Sequence, residues 1–125
     1  MGKMKAQGTS WESEVVKDAK ALEMEARRLA EGGSDDEGDV EVYADERWLV
    51  ECKARANLNI QETLAKAIEK GKQQGHTGPV AVVWKRLVRA AGNSKRTPVA
   101  GVRAVAIVEY DLWLEILRKL KEAGK

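Results

Sequence analysis

The sequence predicts an α/β domain in which a mixed central β-sheet is flanked by α-helices. Three observations predict it. Apolar residues recur at helical spacing from Trp11 to Leu29, two stretches near Asp39–Tyr43 and Trp48–Lys53 alternate with period two, and Pro79 to Trp84 is a nearly continuous apolar run. With 125 residues, 43% hydrophobic and 34% charged, the chain is long enough for one domain and polar enough to carry a charged surface. Residues 1–8 are expected to be a frayed leader and residues 9–125 a single domain.

Trp11, Val15, Ala19, Leu22, Ala26 and Leu29 lie on one face of a helix expected over about 10–31. Thr9 and Glu12 form a capping-box pattern at its start, and Gly32-Gly33 supplies its stop. After a GGSDDEG loop, Val40 and Val42 share one face of a strand while Asp39, Glu41 and Tyr43 share the other. A turn leads to Trp48–Lys53, where Trp48, Val50 and Cys52 face one way and Leu49, Glu51 and Lys53 the other. Asn59 and Glu62 repeat the capping pattern ahead of a helix over about 60–74. A buried strand follows at 79–84, and the basic stretch 85–98 reads as an exposed loop, with a hairpin or short helix as alternatives. Val102–Val108 is the next strand, and Asp111 is expected to cap a last helix bearing Leu112, Ile116, Leu117 and Leu120. Trp84 and Trp113 are expected in the core because their neighbours are apolar.

No apolar run is long enough to span a bilayer, the N-terminus lacks the apolar core of a signal peptide, and a lone cysteine excludes a disulfide framework, so a reducing, cytoplasmic compartment is expected. Cys52 falls on an apolar strand face as a structural residue, and His76 reads as a loop residue. No glycine-rich nucleotide loop and no zinc spacing occurs, so no nucleotide cofactor is expected. The net charge of +2 conceals two fields. Residues 1–52 carry 7 basic and 14 acidic side chains, whereas residues 53–104 carry 11 basic side chains against Glu62 and Glu69. A basic segment of that size suits a polyanion.

The chemistry-bearing constellation is Asp39 at the opening of one strand and Glu51-Cys52-Lys53 on the next. Two carboxylates on adjacent strands make an oxygen site for Mg²⁺ or Mn²⁺, and Lys53 projects to the same face as Glu51. Asp35, Asp36, Glu37 and Glu41 are competing carboxylates, read as solvated.

Gly38-Asp39 followed by Glu51-Cys52-Lys53 resembles the motif of the PD-(D/E)XK nuclease superfamily, with its restriction-endonuclease-like fold. The lead Gly8-Thr9-Ser10-Trp11-Glu12 is similar to that of archaeal-type and phage Holliday junction resolvases. The resemblance covers about residues 8–84, and its weight lies in the ordered set of helix glutamate, strand aspartate, E-x-K and Lys/Gln-rich helix.

It implies a Mg²⁺-dependent endodeoxyribonuclease in a prokaryotic or phage-infected cell, acting on branched DNA as a homodimer. Asp39, Glu51 and the Cys52 carbonyl would hold the metal, Glu12 would serve a second ion or position water, and Lys53 would orient the attacking water. Ser34, Lys66, Lys70, Lys72, Gln73, Lys85, Arg86, Arg89, Lys95 and Arg96 would carry the DNA. Glu12 has a second reading as the partner of Thr9 in the capping box. Two other functions share these residues: a nuclease of the same fold acting on linear or single-stranded DNA, and a non-catalytic nucleic-acid-binding protein.

Overall fold

A computed structural model of the chain describes residues 10–29, 38–89, 96–98 and 101–124. Along the chain run α1 (Trp11–Ala21), β1 (Glu25–Arg28), β2 (Gly38–Tyr43), β3 (Arg47–Arg55), α2 (Ile60–Gln73), β4 (Val80–Arg89), β5 (Arg96–Pro98), β6 (Val105–Ile107) and α3 (Tyr110–Ala123). The protein is α/β with a mixed five-stranded sheet in the order β1-β2-β3-β4-β6, and β5 pairs with the far end of β4. Among the described strands only β3 and β4 run parallel; α2 makes the crossover between them. No described helix is long and apolar enough to cross a membrane.

Alternation along the strands builds two cores. Trp11 of α1 packs with Val40, Val50 and Cys52 on one face of the sheet, and its indole donates to the Val83 carbonyl at 3.1 Å. On the other face Leu49, Val80 and Val82 meet Ala67 of α2, with Leu64 and Ile68 against them. Burying each such aliphatic side chain contributes about 1.5–3 kcal/mol, so both helices are held mainly by their apolar faces. Gly78 sits in a tight spot where the chain enters β4, since a Cβ there would lie 3.1 Å from the Arg47 carbonyl and 3.2 Å from His76 and would press on both.

The second helix, the first hairpin and the buried strand match the sequence expectation, including the Asn59 cap, whose Oδ1 accepts from the Glu62 amide at 3.1 Å. The first helix does not. It stops at Ala21, because Glu23 takes φ 65° and the Met24 amide turns back to the Ala19 carbonyl. Residues 25–28 then form β1, pairing with β2 and burying only Ala26, while Leu22 is 73% exposed. Ala26 satisfies a helical and a strand period alike, which is why the sequence reads through the break. Ser10 is the N-cap in place of Thr9, accepting from the Ser13 amide, and so removes the capping-box role from Glu12.

Further along, β4 continues to Arg89 and pairs with β5, so the described ends of the basic stretch form antiparallel strands instead of a loop. The last strand is shorter than expected, 105–107. Glu109, not Asp111, is the N-cap of α3 and makes no side-chain cap; Asp111 lies in the first turn. Trp84 is half-buried, with its indole on the Arg55 carbonyl at 2.9 Å, whereas Trp113 is 47% exposed and outside the core.

Candidate functional site

Strands β2 and β3 pair in a register that sets Asp39 directly opposite Glu51. Period two sends Glu51, Lys53 and Arg55 to the α2 side of the sheet and Cys52 to the α1 side. From α2, Thr63, Lys66 and Lys70 recur at helical spacing and face these strand residues across a cleft of about 280 Å³. Lys70 Nζ sits 3.0 Å from Asp39 Oδ2 and 3.3 Å from Glu51 Oε1, and Lys53 Nζ lies 3.1 Å from Glu51 Oε2.

The two carboxyls face each other closely enough to act on one another, and their environments push their titrations apart. Burial, the hydrogen bond with Glu51 and the Glu51 charge raise Asp39 to about 6, against the opposing pull of Lys70. Burial also pushes Glu51 up, but hydrogen bonds from Asp39 and Lys53 and the charge of Lys70 outweigh it and leave Glu51 below the ordinary carboxylate range. The pair therefore holds one proton, on Asp39, in mildly acidic solution. Burial opposes the charge of Lys70, yet its hydrogen bond to Asp39 and the charge of Glu51 keep its ammonium raised.

This donor set suits a hard cation in part. Both carboxylates already converge on one cationic group, the Lys70 ammonium, which marks a locus of negative potential. No three Asp, Glu, His or Cys side chains gather to hold a metal among the described residues. An ion here would take two carboxylates and the Cys52 carbonyl, with water completing the shell, as Mg²⁺ tolerates.

The structure does not bring Glu12 to that pair. Its side chain is buried on the α1 face, 3.6 Å from Arg28, with Oε1 lacking any hydrogen-bond partner. Lys85 also turns to the α1 face, where it pairs with Glu14 and lies 4.9 Å over the Trp11 ring. Lys70 is occupied by the carboxylates and is not available as a phosphate contact in this arrangement. Lys66 is 77% exposed beside Glu62, at the cleft. Arg86 is exposed and donates to the Ala56 carbonyl at 3.1 Å. Gln73 donates to Glu69 at 3.5 Å, and Lys72 borders a different hollow beside His76. Ser34 and Lys95 lie outside the described residues, as do Asp35, Asp36 and Glu37; Arg89 and Arg96 are paired through their backbones in β4 and β5.

Two cleft residues escaped the sequence reading. Arg55 continues the period-two face beyond Lys53, and Thr63 precedes Lys66 and Lys70 by three and seven residues. Both signals were present as spacing. Cys52 is fully buried, and burial together with the Glu12, Glu51 and Asp39 charges pushes its thiol up, so it is no nucleophile. His76 lies in the loop after α2, as expected, but is buried there: Nε2 meets the Pro79 carbonyl at 2.9 Å and Nδ1 meets Arg47 at 3.2 Å. Glu41 is likewise buried, clamped between Arg27 and Arg47. No protein-family model, curated protein or solved structure matches the chain, so its chemistry is read from this geometry.

Proposed function

We propose that the protein is a Mg²⁺- or Mn²⁺-dependent endodeoxyribonuclease of PD-(D/E)XK type, with a restriction-endonuclease-like core and a preference for branched DNA of the Holliday junction kind. The observation that carries this reading is the register pairing of Asp39 with Glu51, with Lys53 3.1 Å from the same glutamate. Asp39, Glu51 and the Cys52 carbonyl would hold the metal, which would supply a Lewis acid for the phosphodiester and make a bound water easier to deprotonate.

The chain's own residues do the rest. Glu51 stays ionised through its lysine partners. Lys53, with its side chain only 16% exposed, keeps an ammonium at the cleft wall where the attacking water or the phosphate charge needs a cation. Arg55 and Lys66 line the same cleft and take flanking phosphates. Glu12, buried beside Arg28, ties α1 to the edge strand β1. Cutting both strands of a junction symmetrically calls for a two-fold dimer.

The test is a panel of four-way junction, flap, linear duplex and single strand, with and without Mg²⁺. Cleavage that needs the ion and favours the junction is expected, with Asp39→Ala, Glu51→Ala or Lys53→Ala lowering the rate about 100-fold or more while circular dichroism stays unchanged. Undiminished cleavage by Glu51→Ala would overturn the reading. A second reading, DNA binding without cleavage, draws on the same cleft, in which Lys53 and Lys70 neutralise both carboxylates. Binding without cleavage of any substrate would favour it.

A further inference from the structure

Among the described residues, helix α3 carries the largest group of exposed apolar side chains. None of its residues is buried. Leu112 and Ile116 are half-buried toward the body of the domain, and Lys119 ties the helix to Asp45 at 3.2 Å in the β2–β3 turn. Rotating outward, Tyr110, Trp113, Leu114, Leu117 and Leu120 form a second apolar stripe, exposed by 43–68%. Tyr110 and Trp113 rest against each other with ring centroids 5.9 Å apart. A helix of 14 residues is marginal alone in water, and a stripe of this kind marks an interaction surface.

The charge order of α3 selects the occupant. Acidic Glu109, Asp111 and Glu115 precede basic Arg118, Lys119 and Lys121, followed by Glu122, so the first half of the helix is net acidic and the second net basic, with Arg118 lying between Glu115 and Glu122 on its own helix. A parallel copy would set acid on acid; an antiparallel copy sets acid on base. We propose that α3 is an isologous dimer interface that pairs antiparallel with α3 of a second copy of this chain. Two-fold symmetry then puts Trp113 against Leu117 of the second copy, Tyr110 against Leu120, and Asp111 against Arg118. This deepens the dimer included in the proposed function, and the mass readout below tests it independently of cleavage.

Sedimentation of the full chain at about 50 μM should give twice the 13.8 kDa chain mass. Leu117→Asp, at a side chain 43% exposed, should give a folded monomer by sedimentation and circular dichroism. Asp111→Arg and Arg118→Asp should each weaken the dimer about tenfold, and the double variant should recover most of that loss. A monomeric wild type, a dimer indifferent to Leu117→Asp, or charge reversals that fail to compensate would each overturn the antiparallel α3 interface. If the protein cuts DNA but sediments as a monomer, the interface falls while the nuclease reading stands.

Discussion

Asp39 and Glu51 show how one site gives two like groups different charges. The same burial acts on both, but Glu51 has two lysines and Asp39 only one, so the proton goes to Asp39. In the metal-free protein the Asp39 carboxyl carbon should titrate by NMR near pH 6, and Glu51→Gln should return it toward the ordinary range. The sign for stability follows. Asp39 has a higher pKa folded than unfolded, so its contribution is fullest below the unfolded value near 4 and is lost as pH rises to about 6. Asp39→Asn should remove that slope from urea-denaturation midpoints measured between pH 4 and 6.

Glu41 behaves in the opposite sense. Burial pushes it up, but hydrogen bonds from Arg47 and Arg27 outweigh this and hold it below the usual range. Its contribution is present above the unfolded value near 4.3 and disappears as pH falls through the folded one. Glu41→Ala should cost about 2 kcal/mol at pH 7 by denaturant titration and flatten the acid limb. The alternation of β2 already placed Asp39 and Glu41 on one face in the sequence. What the sequence could not show is that Arg27 and Arg47, from two flanking strands, close over Glu41 and bury it.

At the scale of elements, legibility followed the range of the signal. The hairpin and α2 were readable because their patterns are local: alternation with a turn, and an Asn59 cap three residues before Glu62. The end of α1 was not readable, since it depends on one residue, Glu23, adopting a left-handed conformation that its side chain does not advertise. Strand β1 became possible only because β2 offered an edge to pair with. Glu23→Gly relieves that conformation where glycine is favoured and should raise stability by about 0.5–1 kcal/mol, read as a higher melting temperature. The acidic residue at 12 illustrates the same limit: its capping pattern was visible, but its burial against Arg28 required the strand the sequence had missed.

For the whole molecule, the two charge fields of the sequence largely meet each other. Lys70 goes to Asp39, Lys85 to Glu14 and Arg103 to Asp18, so much of the basic segment is answered by the acidic one in front of it. The surface offered to a polyanion is narrower than the charge count implies, and Arg55 and Lys66 stand on it as residues lining the cleft. Arg55→Ala and Lys66→Ala should each weaken DNA binding on every sequence and reduce the slope of log affinity against log salt by about 1 per lost phosphate contact, measured by fluorescence anisotropy. The crossover topology adds a consequence in time. Asp39 and Glu51 belong to one short hairpin, whereas Lys70 reaches them only when α2 has carried the chain over to the parallel strand β4. Closing a hairpin precedes closing a crossover, so during folding the two carboxylates meet with Lys53 already beside Glu51, and Lys70, the counter-charge of Asp39, arrives later. The site thus completes its charge balance late, and a chain whose α2 has not yet docked would leave Asp39 without the Lys70 ammonium that answers it.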